Sequence, residues 1–490
     1  MGVGAGARGA ASRRLPLLLA ALLPAAAALG DGPPPRTSYV YPPFKHSLGL
    51  SRVGELELKL FLGPTARYAN PQGLAAVKLA DRDDRRTRRD DDELTLFGVN
   101  SDLGQIVWNP SLTAVAKLGR VGSGEGELLR PRGIAADEAG RVVVADTGNR
   151  RLVLLQVSDR RLEWLGAVDD AGGAPFSPTD VALAGGVIWC TDWSGRILRF
   201  TRDGRWLGEW PLAARDGPLD GPLALAVQDR DEPWNHWRRF SLLVVDGDGQ
   251  RLRLYDAGGR LRAERTLAEI APPPGRFGYP VLDLFGQVVV PDSVQGRLLK
   301  LDRRLRHLDA ITRIDGDERP LDHCNSLALW RRFGQLFIAE ARGGSYVWTG
   351  TDILAPALTP LPNARAPGLE LEYRLTEPSL FSVSLRAGGG ERTVVAERRR
   401  NAGLRRDWVP LPDTLPAGAE LVLRAAPTYS ARRFLTAERR LALPSGPVAW
   451  GGAAATASGA AGGEHVAPAD SGAARQAGPA APVAREEAAP

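Results

Sequence analysis

Apolar and polar positions alternate along much of this chain in short runs, most clearly over Pro131–Leu155, PRGIAADEAGRVVVADTGNRRLVLL. This stretch predicts three strands in succession: Gly133–Ala136, Arg141–Asp146 and Arg151–Gln156. The runs are rich in Val, Ile and Leu. The breaks, Asp137-Glu138-Ala139-Gly140 and Thr147-Gly148-Asn149, hold residues that tolerate left-handed backbone or bond to their own main chain. A meander this short buries too little apolar surface to stand alone. It is therefore read as one copy of a repeat.

The other copies follow from the polar residue that closes each second strand. That residue recurs as Asn100, Asp146, Asp192, Asp246, Asp292 and Glu340, at spacings of 46, 46, 54, 46 and 48 residues. A turn and a third strand come after each, as in SGRILRF, GQRLRLY and QGRLLKL, and a small apolar strand comes before, as in GLAAV, DVALA and NSLAL. A period of this size with several strands per unit is the sign of a β-propeller. The pattern P-x-G-I-A-x-D-x-x-G-x-V-V-V-A-D-x-x-N-R-R-L in Pro131–Leu155 resembles the NHL repeat. The resemblance runs over 54–354 and implies six blades. By itself it implies no chemistry, because such folds carry binding modules, sensors and enzymes alike.

Gly54–Leu62, GELELKLFL, alternates as a strand would and precedes the first blade, whereas the sixth blade shows no outer strand of its own. This segment is expected to complete blade six and so remove the open edges of the ring. Residues 31–53 and 355–368 are Pro-rich and read as linkers. Between 369 and 445 strands return without the period, predicting a small β-sandwich. Its run from Leu369 through Tyr373, Ser382-Val-Ser-Leu and Trp408 to Leu421-Val-Leu resembles the immunoglobulin-like domain of flagellar hook-capping proteins. Residues 446–490 form an Ala/Gly/Pro-rich tail, with 16 Ala in the last 40 residues, and are expected to be disordered. The fold class is all-β: a six-bladed propeller, a sandwich and a tail.

Charge adds little to this picture. The formal net charge is +6, but 58 of the 63 basic residues are Arg spread in alternation with acids, which argues against a nucleic-acid surface. Residues 1–30 carry Arg13-Arg14, an apolar run over Leu15–Leu29 and the small pair Ala28 and Gly30, the pattern of a signal peptide. The mature protein is expected outside the cytoplasm, periplasmic or extracellular, as a monomer without a membrane span. Cys190 and Cys324 fall in opposite blades and are expected to be free thiols.

Catalytic signatures are sparse. There is no G-x-S-x-G, no H-E-x-x-H and no phosphate-cradling loop, so no catalytic residue is assigned. Two candidate binding sites emerge. One is the channel mouth, where Asp146, Asp192, Asp246, Asp292 and Glu340 end the second strands and Asp322, His323 and Asn325 enter blade six. The other is an insertion in blade four, DRDEPWNHWRRF, with Trp234, His236, Trp237, Arg238 and Arg239, an aromatic and arginine mix suited to recognition. A charged insertion over Asp81–Glu93 should lie on the same face as this one. At the acids two readings compete: latches for neighbouring backbone and arginines, or ligands for Ca²⁺ or another divalent cation. Lactonases and the amidating lyase, built on similar propellers, use metals at that place, although their His-bearing pattern is not matched here. The expected function is binding or scaffolding of a protein, peptide or glycan without a cofactor. The alternative is a metal-dependent hydrolase or lyase.

Overall fold

The computed structural model describes residues 36–42, 51–82, 94–314, 319–360, 367–429, 435–443 and 446–447. The expected signal segment, the tail beyond 447 and most of the charged insertion in blade one lie outside the described residues. Six antiparallel sheets form the propeller. Blade two shows the pattern in full: Ile134–Ala136, Arg141–Asp146, Arg151–Ser158 and Arg161–Val168, paired in chain order. Blades one, three, four and five repeat it over Pro71–Leu118, Pro178–Glu209, Ala224–Thr266 and Val281–Ile311. In each, the second strand is almost wholly buried because both its faces meet neighbouring blades. Arg141–Asp146 thus reads as a continuous apolar run, Val142, Val143, Val144 and Ala145, with no side exposed. The first strands touch one another around the axis and line a narrow central channel.

Closure of the ring comes from the N-terminal side, but from different residues than the alternation predicts. The third strand of blade six, Gly343–Thr349, pairs with Tyr39–Val40 near one end and with Arg52–Gly54 near the other. The segment Glu55–Leu62 is an α-helix instead. Its residues contain no β-branched side chain and are mostly strong helix formers. The Glu57 carboxylate accepts the Gly54 N–H at 2.7 Å, Glu55 lies in the first turn, and Lys59 pairs with Glu55 one turn on. Period-two leucines wound onto a helix point in all directions, so Leu58 is buried while Leu56 and Leu60 stand 68% and 74% exposed. The stretch 31–53 is therefore no mere linker, since it supplies both closing strands.

The second Pro-rich stretch is also structured in part. Ile353–Pro360 is an edge strand of the sandwich, paired with Gly368–Leu375, and a break in register between Leu354 and Ala357 accommodates Pro356. An edge strand and a bulge are the places where a residue lacking an N–H fits. The sandwich thus starts at Ile353. A three-stranded sheet (Ile353–Pro360, Gly368–Leu375, Gly403–Pro410) faces a four-stranded one (Gly390–Arg400, Ser379–Ala387, Glu420–Pro427, Ala437–Ala442). Leu371, Tyr373, Phe381, Val383 and Leu421 fill the space between them, and Tyr373 stacks on Phe381 at 4.2 Å.

The two units are tied by buried polar contacts beside blade five. Lys300, in the third strand of that blade, pairs with Glu377 of the sandwich, both fully buried. Gln287 donates to Glu377 at 2.7 Å and to Asp283 at 2.9 Å. The Tyr39 ring lies 5.6 Å from the Lys300 ammonium. Desolvation is the main influence on Glu377, and it outweighs Lys300 and pushes the carboxyl up to about 8. Cys190 and Cys324 are buried and free. Among the described residues, no helix is long and apolar enough to cross a membrane.

Candidate functional site

The polar residues that end the second strands all make the same bond. Each accepts the backbone N–H of the segment that enters its own blade. The donors are Ala69 for Asn100, Leu129 for Asp146 and Ser177 for Asp192, each at 2.7 Å. Asp220 donates to Asp246 at 2.7 Å, Arg276 to Asp292 at 3.0 Å and Asp322 to Glu340 at 2.8 Å. Every acid also meets an arginine: Asp146–Arg151 at 2.9 Å, Asp192–Arg196 at 2.7 Å, Asp246–Arg253 at 3.4 Å, Asp292–Arg297 at 2.9 Å and Glu340–Arg52 at 2.8 Å. In blade one the amide Asn100 replaces the acid and its N–H₂ donates to Arg67 O at 2.8 Å. These side chains are buried under the loops, and the cavity at the axis is lined by others. Each acid thus accepts a main-chain N–H and pairs with an arginine, while Asp246 Oδ2 has no hydrogen-bond partner among the described residues. Among the described residues, no group of three or more His, Cys, Asp or Glu could hold a metal ion.

The remaining expected mouth residues separate. Asp322 and His323 line a cleft of about 970 Å³ between blades five and six, where Glu340 also reaches. There Asp322 pairs with Arg342 at 3.3 Å, and His323 Nδ1 lies 3.0 Å from Ser293 O. Asn325 alone of the predicted set reaches the axis, donating to Pro71 O of blade one at 3.0 Å.

The axial mouth is lined by segments just ahead of several first strands and by the turns after the second strands of blades one and two, Ser101, Asp102, Thr147 and Gly148. Arg130 and Arg132 precede the first strand of blade two, Arg276 and Tyr279 that of blade five, and Gln72 lies at the start of blade one. They surround a cavity of about 550 Å³ in which Asp102 is the carboxylate among the described lining residues. Tyr279 O–H donates to Gln72 Oε1 at 3.2 Å. The Arg132 guanidinium lies over the Trp193 ring at 5.7 Å, and its Nη1 is buried without a hydrogen-bond partner among the described residues. Deeper in the channel wall, Asp180 bridges blades three and four by accepting Val181 N–H and Leu225 N–H, each at 2.8 Å. Burial pushes its carboxyl up to about 8. A sequence reading centred on strand ends misses these residues. The signal was present in Arg130-Pro-Arg132-Gly133 and Arg276-Phe-Gly-Tyr279, basic residues held at corresponding places of two blades.

The channel's other end is closed. Arg331, following the first strand of blade six, donates to Leu282 O of blade five at 2.8 Å and to Val227 O of blade four at 3.0 Å, and it pairs with Glu232. Glu232 belongs to the blade-four insertion, which folds inward over this face. Asn235 is buried and donates to Asp229 O and Arg239 O, each at 2.8 Å. The Trp237 Nε1–H donates to Phe285 O of blade five at 2.7 Å, with Arg303 over its ring at 4.6 Å. Trp234 carries Arg332 at 5.2 Å. His236 packs edge-on against Trp237 and Phe285, and burial holds its pKa below the usual value. Arg238 and Arg239 point to solvent.

A family model for the NHL repeat matches residues 128–153, within blade two. With the six radial sheets, this makes the N-terminal unit an NHL-type β-propeller. Several solved structures align with this chain at low identity and low TM-score. A gluconolactonase from Xanthomonas campestris is 18% identical with a TM-score of 0.41, covering 63% of this chain and 99% of its own. A streptogramin B lyase is 12% identical with a TM-score of 0.38, covering 58% and 95%. The PQQ-bound aldose sugar dehydrogenase of Streptomyces coelicolor is 14% identical with a TM-score of 0.37, covering 58% and 96%. No curated protein matches the sequence.

Proposed function

We propose that this chain is an exported binding protein whose axial mouth takes a carboxylate group of a protein, peptide or glycan partner. One observation carries the reading: a cavity of about 550 Å³ at the propeller axis holds three arginines, one of them with a buried, unpartnered Nη1. A buried donor without an acceptor costs about 1–3 kcal/mol, and a ligand oxygen would relieve that cost. Guanidinium groups suit carboxylates because their planar donors match the two oxygens. Tyr279, Gln72 and Asn325 add neutral hydrogen bonds that fix orientation. The second-strand carboxylates, which the hydrolase or lyase alternative would use as metal ligands, serve as blade latches instead. Export rests on the signal pattern of residues 1–30.

The test is calorimetric titration of a Glu-containing tetrapeptide and of its Gln counterpart. The Glu peptide should bind more tightly, and Arg132→Gln should weaken it by at least about tenfold, the value of one charge-assisted contact. Equal binding of both peptides, or a variant that binds like wild type, would overturn the reading.

A further inference from the structure

Second strands in this propeller seal the seams between blades. Two positions before the terminal polar residue stand Val144, Cys190, Val244, Val290 and Ile338 in five blades, all buried, but Gly98 in blade one. Gly98 is forced by neither backbone nor crowding. Its backbone is outside the left-handed region, and a Cβ built there would meet only Leu74 Cδ1 at 3.6 Å and Val107 O at 3.9 Å. The missing side chain leaves space between blades six and one. Leu74 and Val107 remain only half-buried there, although Val153, the counterpart of Val107 in blade two, is fully buried. Gly343 and Gly344 of blade six keep the opposite wall low, and the helix Glu55–Leu62 roofs the gap.

We propose that this seam is a binding slot for a hydrocarbon group, the alkyl or aryl part of an uncharged small ligand. The slot has a volume of about 220 Å³ and is walled by Leu58, Leu74, Val107, Trp108 and Ile338, among others. Engineered apolar cavities of about 150 Å³ stay dry and take up benzene, so this one is large enough for a ring or short chain. Three polar side chains at its border are already bonded elsewhere. Asn109 bonds Leu94 O at 3.0 Å and Leu96 N at 2.6 Å, Asn100 bonds Ala69 N and Arg67 O, and Glu57 bonds Gly54 N. The wall is otherwise mostly apolar, with Tyr68 as a further polar border residue. Phe61 lines the slot yet is 41% exposed, next to Leu60, so apolar surface runs from the interior onto the outside of the helix. That continuity gives a hydrocarbon a way in past a single-layer roof. The slot is separate from the arginine-lined mouth, and its occupation does not depend on that site.

The experiment titrates the full chain with N-phenyl-1-naphthylamine, a neutral fluorescent probe, and compares Gly98→Val. Wild type should give a saturable, one-to-one fluorescence rise. Gly98→Val should bind at least tenfold more weakly with an unchanged or higher melting temperature, because the added methyls occupy the slot and fill the seam. Should the valine variant melt lower than wild type, Gly98→Ala carries the test, with weaker binding expected at unchanged melting. Arg132→Gln should bind the probe as wild type does. No binding by wild type, or undiminished binding by the glycine variants, overturns the proposal.

Discussion

Replacing Lys300 by Met tests one buried contact between the sandwich and the propeller. Lys300 and Glu377 are both fully buried, and the substitution leaves Glu377 and Asp283 facing one another across the single amide of Gln287. Removing one partner of a buried ion pair costs about 3–5 kcal/mol when the other remains charged. The orphaned carboxyl can escape that cost by keeping a proton. Burial already raises Glu377 to about 8, from 4.5 for the free group, and Lys300 is the chief influence holding it down. A carboxyl raised in the folded state contributes stability that is complete below its unfolded pKa and is lost as pH rises through the folded one. Without Lys300 that folded value moves higher still. The loss in Lys300→Met should therefore be small at pH 5.5, about 1–2 kcal/mol for the missing hydrogen bond, and reach about 3–5 kcal/mol at pH 8.5.

Urea unfolding at the two pH values, with calorimetry alongside, reads this directly. At pH 8.5 the variant should also show the sandwich separating in a transition of its own, since Glu377 is its anchor on blade five. Lys300→Met combined with Glu377→Leu should recover most of the loss, because an apolar pair of similar volume removes the stranded charge. A loss under about 1 kcal/mol at pH 8.5, or an equal loss at both pH values, would refute a dry interdomain pair.

Asp146→Ala should destabilise the fold by about 1–3 kcal/mol, because Leu129 N–H loses its acceptor and Arg151 its partner. The loss should be the same with and without a chelator, and melting curves of wild type and variant in EDTA check this. Trp234→Ala with Trp237→Ala should lower stability by about 1–3 kcal/mol, through the lost Trp237–Phe285 hydrogen bond and two stacked arginines. Unchanged melting of the double variant would show instead that the rings are spare surface.

The blade period was legible because it rests on local rules. Alternation, turn residues and a polar residue at each second-strand end recur wherever the chain repeats the same packing problem. The latch role of Asp146 and its counterparts was legible for the same reason, since a bond needed in every blade leaves its mark in every blade. Closure was legible as a need but not as an address. Tyr39–Val40 offers two residues among prolines, and ELELKLFL carries a strand's alternation on helix-forming residues. The mouth was missed for a different reason. Arg132, Arg276 and Tyr279 meet only when six blades are closed into a ring, and nothing in the local pattern of any one blade sets them apart.

The two ends of the channel differ in how their side chains are bonded. At the far end, Arg331 ties blades four, five and six through carbonyls of their first strands and through Glu232. The sandwich lies on the same side, where Tyr429 packs on Phe285 at 5.9 Å and Leu435 enters the seam of blades six and one. The blade-four insertion lies over that end, with Glu232 paired to Arg331 and with Arg303 and Arg332 over its tryptophans. The other end is different. There the loops are short, and Arg130, Arg132 and Arg276 surround a cavity that no side chain fills. That end holds the unpartnered Arg132 Nη1 beside Tyr279, Gln72 and Asn325, and it is where the proposed carboxylate site lies.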